Sequence, residues 1–585
     1  MKRNLRLLFI VFVALGIVNS SIAQTYEKIW FDGFARSYFA RDAIDKNVKD
    51  DTLSPKNASN GYNLLDLNTH VNPIDDIEIF AQIRIKNSFG GFFGSGTEID
   101  SRQLRVNGTI NNKVRFSVGD LFLKQSRFTL FNYDEELSEF ENDMFKPYRD
   151  IIHYENFYTE NRWRLQGIQT NFSFGFDRYI KNLAFDFFVT RPLGSRQISI
   201  DNYSSDLLLS GGSMVAELNN HFTLKNDYIN LFEVPSSGNQ NVSVRNPVYQ
   251  MTLSHYSENN EHYIEQKLEA GFSKRHWLHS ELENGNVDSI SNKTHGLFLE
   301  LENSYFKKDS TFDFSIGYRY VDPDFRSAGA QTRRLDYGAG NINSNYPLYT
   351  NMQMVRPTSI FDLIADDRLY NQDLSSNLMT FNPIYSNVFP FGDATPNRNG
   401  IYFIGRYAHK SKIILGKLNT AFFSELIGQG TPDKRRFTLI RASLKLNIHH
   451  FLKLNKELSF SLASENEFTK RSGNSVSSID LKSNQIRLSI NAEFAKRFFI
   501  QANYRQFDVK GNEFLTERNN FGEITYFSLS DYNQKDNILS IGILNKIRKN
   551  IYANIQYNWW GMEFTGQPFS DYKYNRLLFI LSLKL

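Results

Sequence analysis

The sequence predicts an all-β protein, a transmembrane antiparallel up-and-down β-barrel of about 22 strands, within a range of roughly 18 to 24. Three observations predict this fold: apolar and polar residues alternate along most of the chain, its connections alternate between short and long, and its last segment is strongly two-faced. One face of that segment carries Leu577, Phe579, Leu581, Leu583 and Leu585. Such a strand fits a wall with lipid on one side and water on the other.

The alternation separates whole segments into two faces. Between positions 482 and 495, Ile486, Leu488, Ile490, Ala492 and Phe494 alternate with Gln485, Arg487, Ser489, Asn491 and Glu493. A helix would spread these residues around its surface at 3.6 residues per turn, whereas a strand divides them cleanly. We therefore interpret these segments as strands.

The candidate strands follow one another along the chain. They lie near 29–41, 61–72, 75–87, 100–110, 112–121, 162–176, 181–191, 212–224, 226–234, 246–258, 261–274, 293–306, 310–321, 399–410, 412–427, 435–449, 456–470, 480–495, 497–509, 534–546, 549–560 and 574–585. Short links such as 72–75, Lys225–Asn226 and 495–497 alternate with long connections, as periplasmic turns and outer loops do. An even count places both termini in the periplasm.

The composition agrees with a barrel. The chain has 585 residues, 41% of them hydrophobic and 15% aromatic, and a mean hydropathy of −0.44. A barrel strand shows lipid only every second residue, so it never forms a long apolar run. An aromatic-rich soluble β-sandwich is the alternative, but sandwiches rarely hold so many hairpins in series. The net charge of +4 gives no indication of nucleic-acid binding, and the absence of cysteine excludes disulfides and thiolate sites.

The first residues resemble a secretory signal. Lys2, Arg3 and Arg6 precede an apolar stretch over 7–18, which Ser21-Ile22-Ala23 follows. We expect cleavage after Ala23, which leaves 24–585 as one barrel domain. A membrane-anchoring helix is the alternative, but the stretch is shorter than the roughly 20 residues that a span needs.

Two connections, at about 122–161 and 322–399, are exceptionally long. Loops of this length are usually either functional or disordered, and the Phe, Tyr and Ile content of these two favours order. We expect them to fold over the mouth of the barrel or into its lumen. No plug domain precedes the first candidate strand, so the lumen should be open, obstructed by these loops, or filled by a separate protein.

The face opposite the lipid carries charges of both signs. The candidate lumen-lining residues are Arg84, Lys86, Arg105, Glu300, Glu302, Arg319, Arg441, Lys445, Glu465, Glu467, Arg487, Glu493 and Arg505. A strongly selective pore would show one dominant sign at its constriction. The mixture therefore favours neutral or zwitterionic solutes, or a wall lined by internal ion pairs.

We find no motif for catalysis or for a cofactor, and predict that the chain is not an enzyme. His449–His450 and the acidic segment 366–373 could be read as metal sites, but solvated side chains are the simpler interpretation and no metal is predicted. The aromatic pairs at 92–93, 422–423, 498–499 and Trp559–Trp560 fit an interfacial girdle better than a path for stacking sugars.

The junction Ser21-Ile22-Ala23-Gln24, the Phe-, Tyr- and Asn-rich strands and the Leu581-Ser582-Leu583-Lys584-Leu585 end resemble outer-membrane barrel proteins of the Bacteroidetes, of the porin-like group without a plug. The resemblance implies an outer-membrane channel for small polar solutes or oligomers. The alternative is a sealed barrel that serves as scaffold in a secretion or gliding machine. The expected partners are outer-membrane lipid, the barrel-assembly machinery through the C-terminal strand, and a protein in or over the lumen, but no nucleic acid.

Overall fold

The chain forms a closed antiparallel barrel of 22 strands. The computed structural model describes residues 28–46, 57–89, 96–133, 140, 144, 146–155, 157, 159–178, 180–195, 197–199, 202–203, 206–234, 242–283, 286–331, 384, 387–474, 477–518, 524–565 and 572–585. The predicted fold class and strand number are confirmed.

The barrel strands follow chain order, each paired with the next. They are β1 Ile29–Lys46, β2 Asn57–Ile74, β3 Ile77–Ser88, β4 Thr97–Ile110, β5 Val114–Leu123, β6 Trp163–Gly175, β7 Asn182–Leu193, β10 Asp206–Glu217, β11 Phe222–Val234, β12 Val242–Glu258, β13 His262–Glu283, β14 Asn286–Lys307, β15 Phe312–Val321, β16 Arg398–Ala408, β17 Ile414–Ser424, β18 Arg436–Asn447, β19 Leu458–Arg471, β20 Ile479–Ala495, β21 Phe498–Arg518, β22 Ile524–Arg548, β23 Ile551–Phe564 and β24 Tyr572–Lys584. A separate hairpin, β8 Gln197–Ser199 with β9 Asn202–Tyr203, lies in the connection after β7. Two helices are described, α1 Lys146–Glu155 and α2 Ile448–Phe451.

The last strand closes the barrel on the first. Strands β24 and β1 pair antiparallel from Phe34 opposite Lys584 to Lys46 opposite Tyr572. The Arg576 guanidinium donates two hydrogen bonds to the Asp42 carboxylate across this seam, at 2.7 and 2.9 Å. Closure leaves no barrel edge with unpaired backbone groups, which a strand facing lipid could not tolerate.

The two faces of the wall differ as the alternation predicts. On β22, Leu539 and Ile541 are 43% and 47% exposed, whereas Ser540 between them is fully buried. The same contrast separates Ile555 from Asn554 on β23. The outer surface is therefore apolar, as lipid requires, and the polar side chains face the lumen. Among the described residues, no helix is long and apolar enough to cross a membrane.

Tight turns join the strands at one end of the barrel. Asn111 and Asn112 have φ values of 51° and 55°, the left-handed conformation that two-residue hairpin turns need and that asparagine tolerates. The first strand begins and the last strand ends at this same rim.

One predicted turn is wrong. Lys225–Asn226 lies inside β11, and the chain reverses instead between Glu217 and Phe222. There the Asn219 side chain accepts hydrogen bonds from the backbone N–H groups of His221 and Phe222, at 2.7 and 2.9 Å. The side-chain oxygen stabilises the turn by replacing a backbone acceptor.

Several strands are longer than predicted. Strands β13 and β14 have 22 residues each, and β21 and β22 have 21 and 25. A spanning strand needs about 9 to 11 residues, so these hairpins continue well beyond a bilayer. Sequence segments that looked like loops, such as 275–292, belong mostly to strands.

Candidate channel interior

The two long connections fold into the barrel. We call the described residues between β5 and β6 inner loop 1, and those between β15 and β16 inner loop 2. Phe128 of inner loop 1 and Phe325 of inner loop 2 are fully buried, and the Phe128 ring stacks on Phe298 of the wall with centroids 4.1 Å apart. The barrel therefore has an apolar core inside its lumen, contrary to the polar interior of a water-filled barrel.

That core draws on many wall strands. Its buried members are Leu121, Leu123, Phe128, Leu130, Trp163, Leu165, Phe188, Leu207, Leu209, Ile229, Leu231, Val248, Phe298, Val321, Phe325, Ala328, Ala330 and Ala394. Apolar residues at lumen-facing positions near the loop ends of these strands supply the wall side of the core. Burial of this surface holds the loops in the lumen.

The two inner loops also bind each other through the backbone. Phe131 N–H donates to the Gly329 carbonyl at 2.8 Å, and the Ser327 hydroxyl donates to the Thr129 carbonyl at 3.0 Å. The indole N–H of Trp163 donates to the same Gly329 carbonyl at 2.8 Å. These bonds pair polar groups that the apolar core would otherwise leave unsatisfied.

Arg127 of inner loop 1 lies among the acidic groups of the wall. Its Nη2 is 3.0 Å from Glu300 and 3.6 Å from both Glu269 and Glu302. Its Nη1 is 3.4 Å from Asp393 of inner loop 2. Burial alone would lower the pKa of Arg127, but the fields of these acids outweigh burial and raise that pKa well above its usual value. Arg127 stays charged and joins both loops to the wall.

Arg319 of the wall completes this cluster. It donates to Glu300 at 2.8 Å and to Asp393 at 2.7 Å. The Tyr402 hydroxyl lies 2.6 Å from Glu300. The cluster links β14, β15 and β16 with both inner loops through charge-assisted hydrogen bonds, which are the strong ones.

Helix α1 of inner loop 1 contacts a different sector. Glu155 at its end binds Arg36 and Arg84, and the Tyr154 hydroxyl donates to Asp66. Arg102 donates to the carbonyl of Tyr154 at 3.0 Å. Burial tends to raise the pKa of Glu155, but its hydrogen bond with Arg84 and the surrounding arginines outweigh that and lower it. The charged carboxylate therefore anchors the end of α1.

The second half of inner loop 2 lines the remaining wall. Asn387 N–H donates to Glu467 at 2.9 Å, and its side chain donates to Glu513 at 2.7 Å. Arg398 donates to the carbonyls of Val388 and Asn387, both at 2.9 Å. Val388 and Phe389 pack with wall residues of β16, β17 and β18.

Together the inner loops reach the whole circumference. Helix α1 contacts or packs beside β1 to β4 and β22 to β24, both loops share β5 to β7 and β10 to β15, and inner loop 2 contacts β16 to β21. The lumen is therefore narrowed by the chain itself. Of the states considered from the sequence, this structure shows the one obstructed by loops.

The structure pairs many of the candidate lumen charges with described residues. Arg84 binds Asp66 and Glu155, Arg319 binds Glu300, Arg441 binds Glu465, and Glu302 contacts Arg127 and Tyr402. Lys86 lies over the Tyr62 ring, Arg105 over Phe80, and Glu467 accepts from Asn387 N–H. Arg487 and Arg505 are buried and occupy facing register positions on β20 and β21. Lys445 lies on β18, and Glu493 accepts backbone N–H groups near the turn rim.

Sequence reasoning missed the loop side of these contacts. Arg127, Glu155 and Asp393 lie in the predicted loops, yet nothing in their local sequence says which wall residue they meet. The uncharged lumen side chains on β21 to β23 were also not predicted, because the predicted lumen-lining residues were the charged ones. Alternating Asn and Gln on lumen-facing positions was the signal that could have revealed them.

The segments considered as metal sites and the aromatic pairs lie only partly within the described residues. Among the described residues, no group of three or more His, Asp or Glu side chains could hold a metal ion. The segment 366–373 and residues 92–93 lie outside the described residues. The pair Trp559–Trp560 divides between the faces: Trp559 is 42% exposed on the outside, and Trp560 packs with an apolar cluster inside the barrel.

The chain is similar to several solved structures. These include OpdQ of Pseudomonas aeruginosa (10% identity, 96% of this chain and 100% of that one, TM-score 0.34), OccK8 (OprE) of the same organism (10%, 96% and 100%, 0.33) and a BenF-like porin from Pseudomonas fluorescens Pf-5 (8%, 96% and 100%, 0.31). No protein-family model and no curated protein matches the chain. At these identities and TM-scores, the similarity carries no information about the solutes or partners of this chain.

Proposed function

We propose that this protein is an outer-membrane channel for the passive passage of small polar solutes, narrowed by its two inner loops. One observation supports this most: the two long loops lie inside the barrel and narrow its wide lumen, instead of capping it from outside. A barrel of 22 strands without such loops would leave a broad hole. The restriction would select solutes by size and polarity.

The wall charges support uncharged or zwitterionic cargo. Many of the lumen charges pair within the protein, as Arg84 does with Asp66 and Arg319 with Glu300. Paired charges create a weaker net field for an ion than a ring of one sign would. The resemblance to Bacteroidetes barrels, the periplasmic placement of both termini and the partners expected from the sequence stay predictions.

A sealed barrel that acts as a scaffold is the second candidate. The contacts of the inner loops around the whole wall favour this candidate. Loops that fill the lumen completely would leave no path for solutes. Both candidates share the outer-membrane location and differ only in whether solutes cross.

Single-channel conductance in a planar bilayer separates the two. For a channel we expect discrete steps from the intact protein and larger steps after deletion of residues 327–397, because that deletion removes most of inner loop 2. Silence from the intact protein, with steps only after the deletion, would contradict the channel and support the scaffold. Deletion of the β8–β9 hairpin, which lies outside the barrel sheet, is the control and should leave conductance unchanged.

A further inference from the structure

A group of uncharged polar side chains lies together on the lumen face of β21, β22 and β23. We call Gln501, Asn503, Ser540, Asn554 and Gln556 the amide strip. All five are at most 1% exposed. They occupy alternate positions of their strands, whose other face carries exposed apolar residues toward lipid.

The backbone register places these five side chains side by side. Asn503 faces Ser540 across β21 and β22, and Gln501 faces Gly542 in the next lumen-facing row. Gly542 in turn faces Gln556 on β23. The strip is thus one continuous patch, and not five scattered positions.

Gly542 lies in the middle of this patch, in close contact with β23. A Cβ at this position would lie 2.7 Å from the Ile555 carbonyl oxygen and 2.9 Å from the Gln556 Cβ. Gly542 therefore leaves no side chain between Gln501 and Gln556, whose backbones lie two strand spacings or about 10 Å apart.

Polar atoms of the strip lack hydrogen-bond partners. Both side-chain polar atoms of Asn503, Asn554 and Gln556 are unpaired, as are Gln501 Oε1 and the Ser540 hydroxyl. Gln501 makes one bond, from its Nε2 to Asn491 Oδ1 at 3.0 Å. Buried polar groups are normally paired because an unpaired one costs about 1–3 kcal/mol. A cluster of them at one place points to a polar occupant.

The chemistry of the strip selects the class of occupant. Each amide offers a donor and an acceptor without charge, which matches hydroxyl groups that also donate and accept. Apolar side chains border the strip in register, Leu578 beside Gln556 and Ile580 beside Asn554. Polar groups beside apolar ones suit a sugar ring, whose hydroxyls and C–H groups both need contacts.

We infer that the amide strip binds a neutral polyhydroxylated solute, such as a saccharide, during passage through the barrel. The inference rests on the proposed channel function and deepens it by naming the solute class. Leu578 and Ile580 pack in the same cluster as Ile151 of α1. Entry therefore requires the side chains over the strip to move, and inner loop 1 borders this place.

Calorimetric titration of the full-length protein in detergent with maltotriose tests binding directly. We expect saturable binding by the native protein and at least about tenfold weaker binding by the double variant Asn554→Leu/Gln556→Leu, because several hydrogen bonds are lost at similar side-chain volume. The control is Asn107→Leu, a hydrogen-bonded amide on β4 that pairs with Glu78 and should leave the affinity unchanged.

A second variant distinguishes a loss of binding from a folding defect. Gln556→Glu keeps the side-chain shape but loses the amide donors, and we expect it to weaken maltotriose binding at least about threefold. No binding by the native protein, equal binding by the strip variants, or equal loss in the control would each overturn the inference.

Conductance separates this inference from the proposed function. If the protein conducts ions but binds no maltotriose, the proposed channel is supported and the saccharide site is contradicted. If it binds maltotriose through the amide strip but never conducts, the site is supported and the channel is contradicted.

Discussion

At the scale of single residues, the barrel depends on a few side chains that join distant parts of the chain. Arg127 is 173 residues from Glu300 in sequence, yet their charged groups are 3.0 Å apart. Such a contact could not be predicted from alternation, because local periodicity carries no information about which loop meets which strand. The polarity of each wall position, in contrast, follows directly from the sequence.

Replacement of Arg127 by methionine should destabilise the barrel interior. The substitution keeps most of the side-chain length but leaves Glu300, which is fully buried, with one guanidinium fewer. Removal of one partner from a buried charge cluster costs roughly 3 kcal/mol. Denaturant unfolding in detergent measures the loss. Arg162→Met, which removes an exposed pair with Glu160, is the control and should change stability by less than about 0.5 kcal/mol.

Gly119 is a second residue whose identity the structure explains. Its φ is +106°, and a Cβ would lie 2.3 Å from the Leu104 carbonyl oxygen. We expect Gly119→Ala to cost about 1–3 kcal/mol of folding free energy from backbone strain alone. The control Gly175→Ala has its nearest contact at 3.9 Å and an ordinary φ. Equal unfolding midpoints for the two variants would contradict the strain argument.

At the scale of elements, helix α1 shows how part of a long loop is held against the barrel wall. The alternation of apolar and polar residues correctly predicted the strands around α1. The aromatic content of the predicted loop at about 122–161 favoured an ordered loop. The sequence did not reveal that Glu155 meets Arg36 and Arg84, since two strands and the helix must come together before that site exists.

The anchoring of α1 should depend on pH. Because the folded-state pKa of Glu155 lies below its ordinary value of 4.5, its contribution to stability is complete above that ordinary value. The contribution is lost as the pH falls through the folded-state pKa. We therefore expect current fluctuations to increase at pH values below 4.5 as α1 leaves the wall. The current through the Glu155→Gln variant should fluctuate already at pH 7 and should change less as the pH is lowered. Identical pH profiles for the two proteins would exclude this anchor.

At the scale of the whole molecule, the two inner loops share one part of the wall and contact different parts of the rest. Helix α1 covers the sector around β1 to β4, and inner loop 2 covers β16 to β21. Their backbones bind each other between Phe131 and Gly329. Each loop therefore narrows a different part of the lumen and supports the other.

Removal of either loop alone should open the lumen only in part. We expect conductance to rise after deletion of 140–157 and after deletion of 327–397, and to rise by less than the sum of both in the double deletion. The reason is that each loop is stabilised by the other at their shared core, so that deletion of 327–397 already loosens inner loop 1. Single-channel recordings of the three variants measure this. Strict additivity would mean that the loops act independently.

The sequence by itself determined the β-barrel class, the number of strands and the faces of each strand, because a period of two is a local property of a strand. Even so, it misplaced the turn at Lys225–Asn226, where alternation continues, whereas the Asn219 side chain helps to stabilise the true reversal. Tertiary structure alone decided that the loops enter the lumen, that Arg127 meets Glu300, and that the amide strip forms one patch. These features depend on closure of the barrel, which places residues far apart in sequence at neighbouring positions around a single interior.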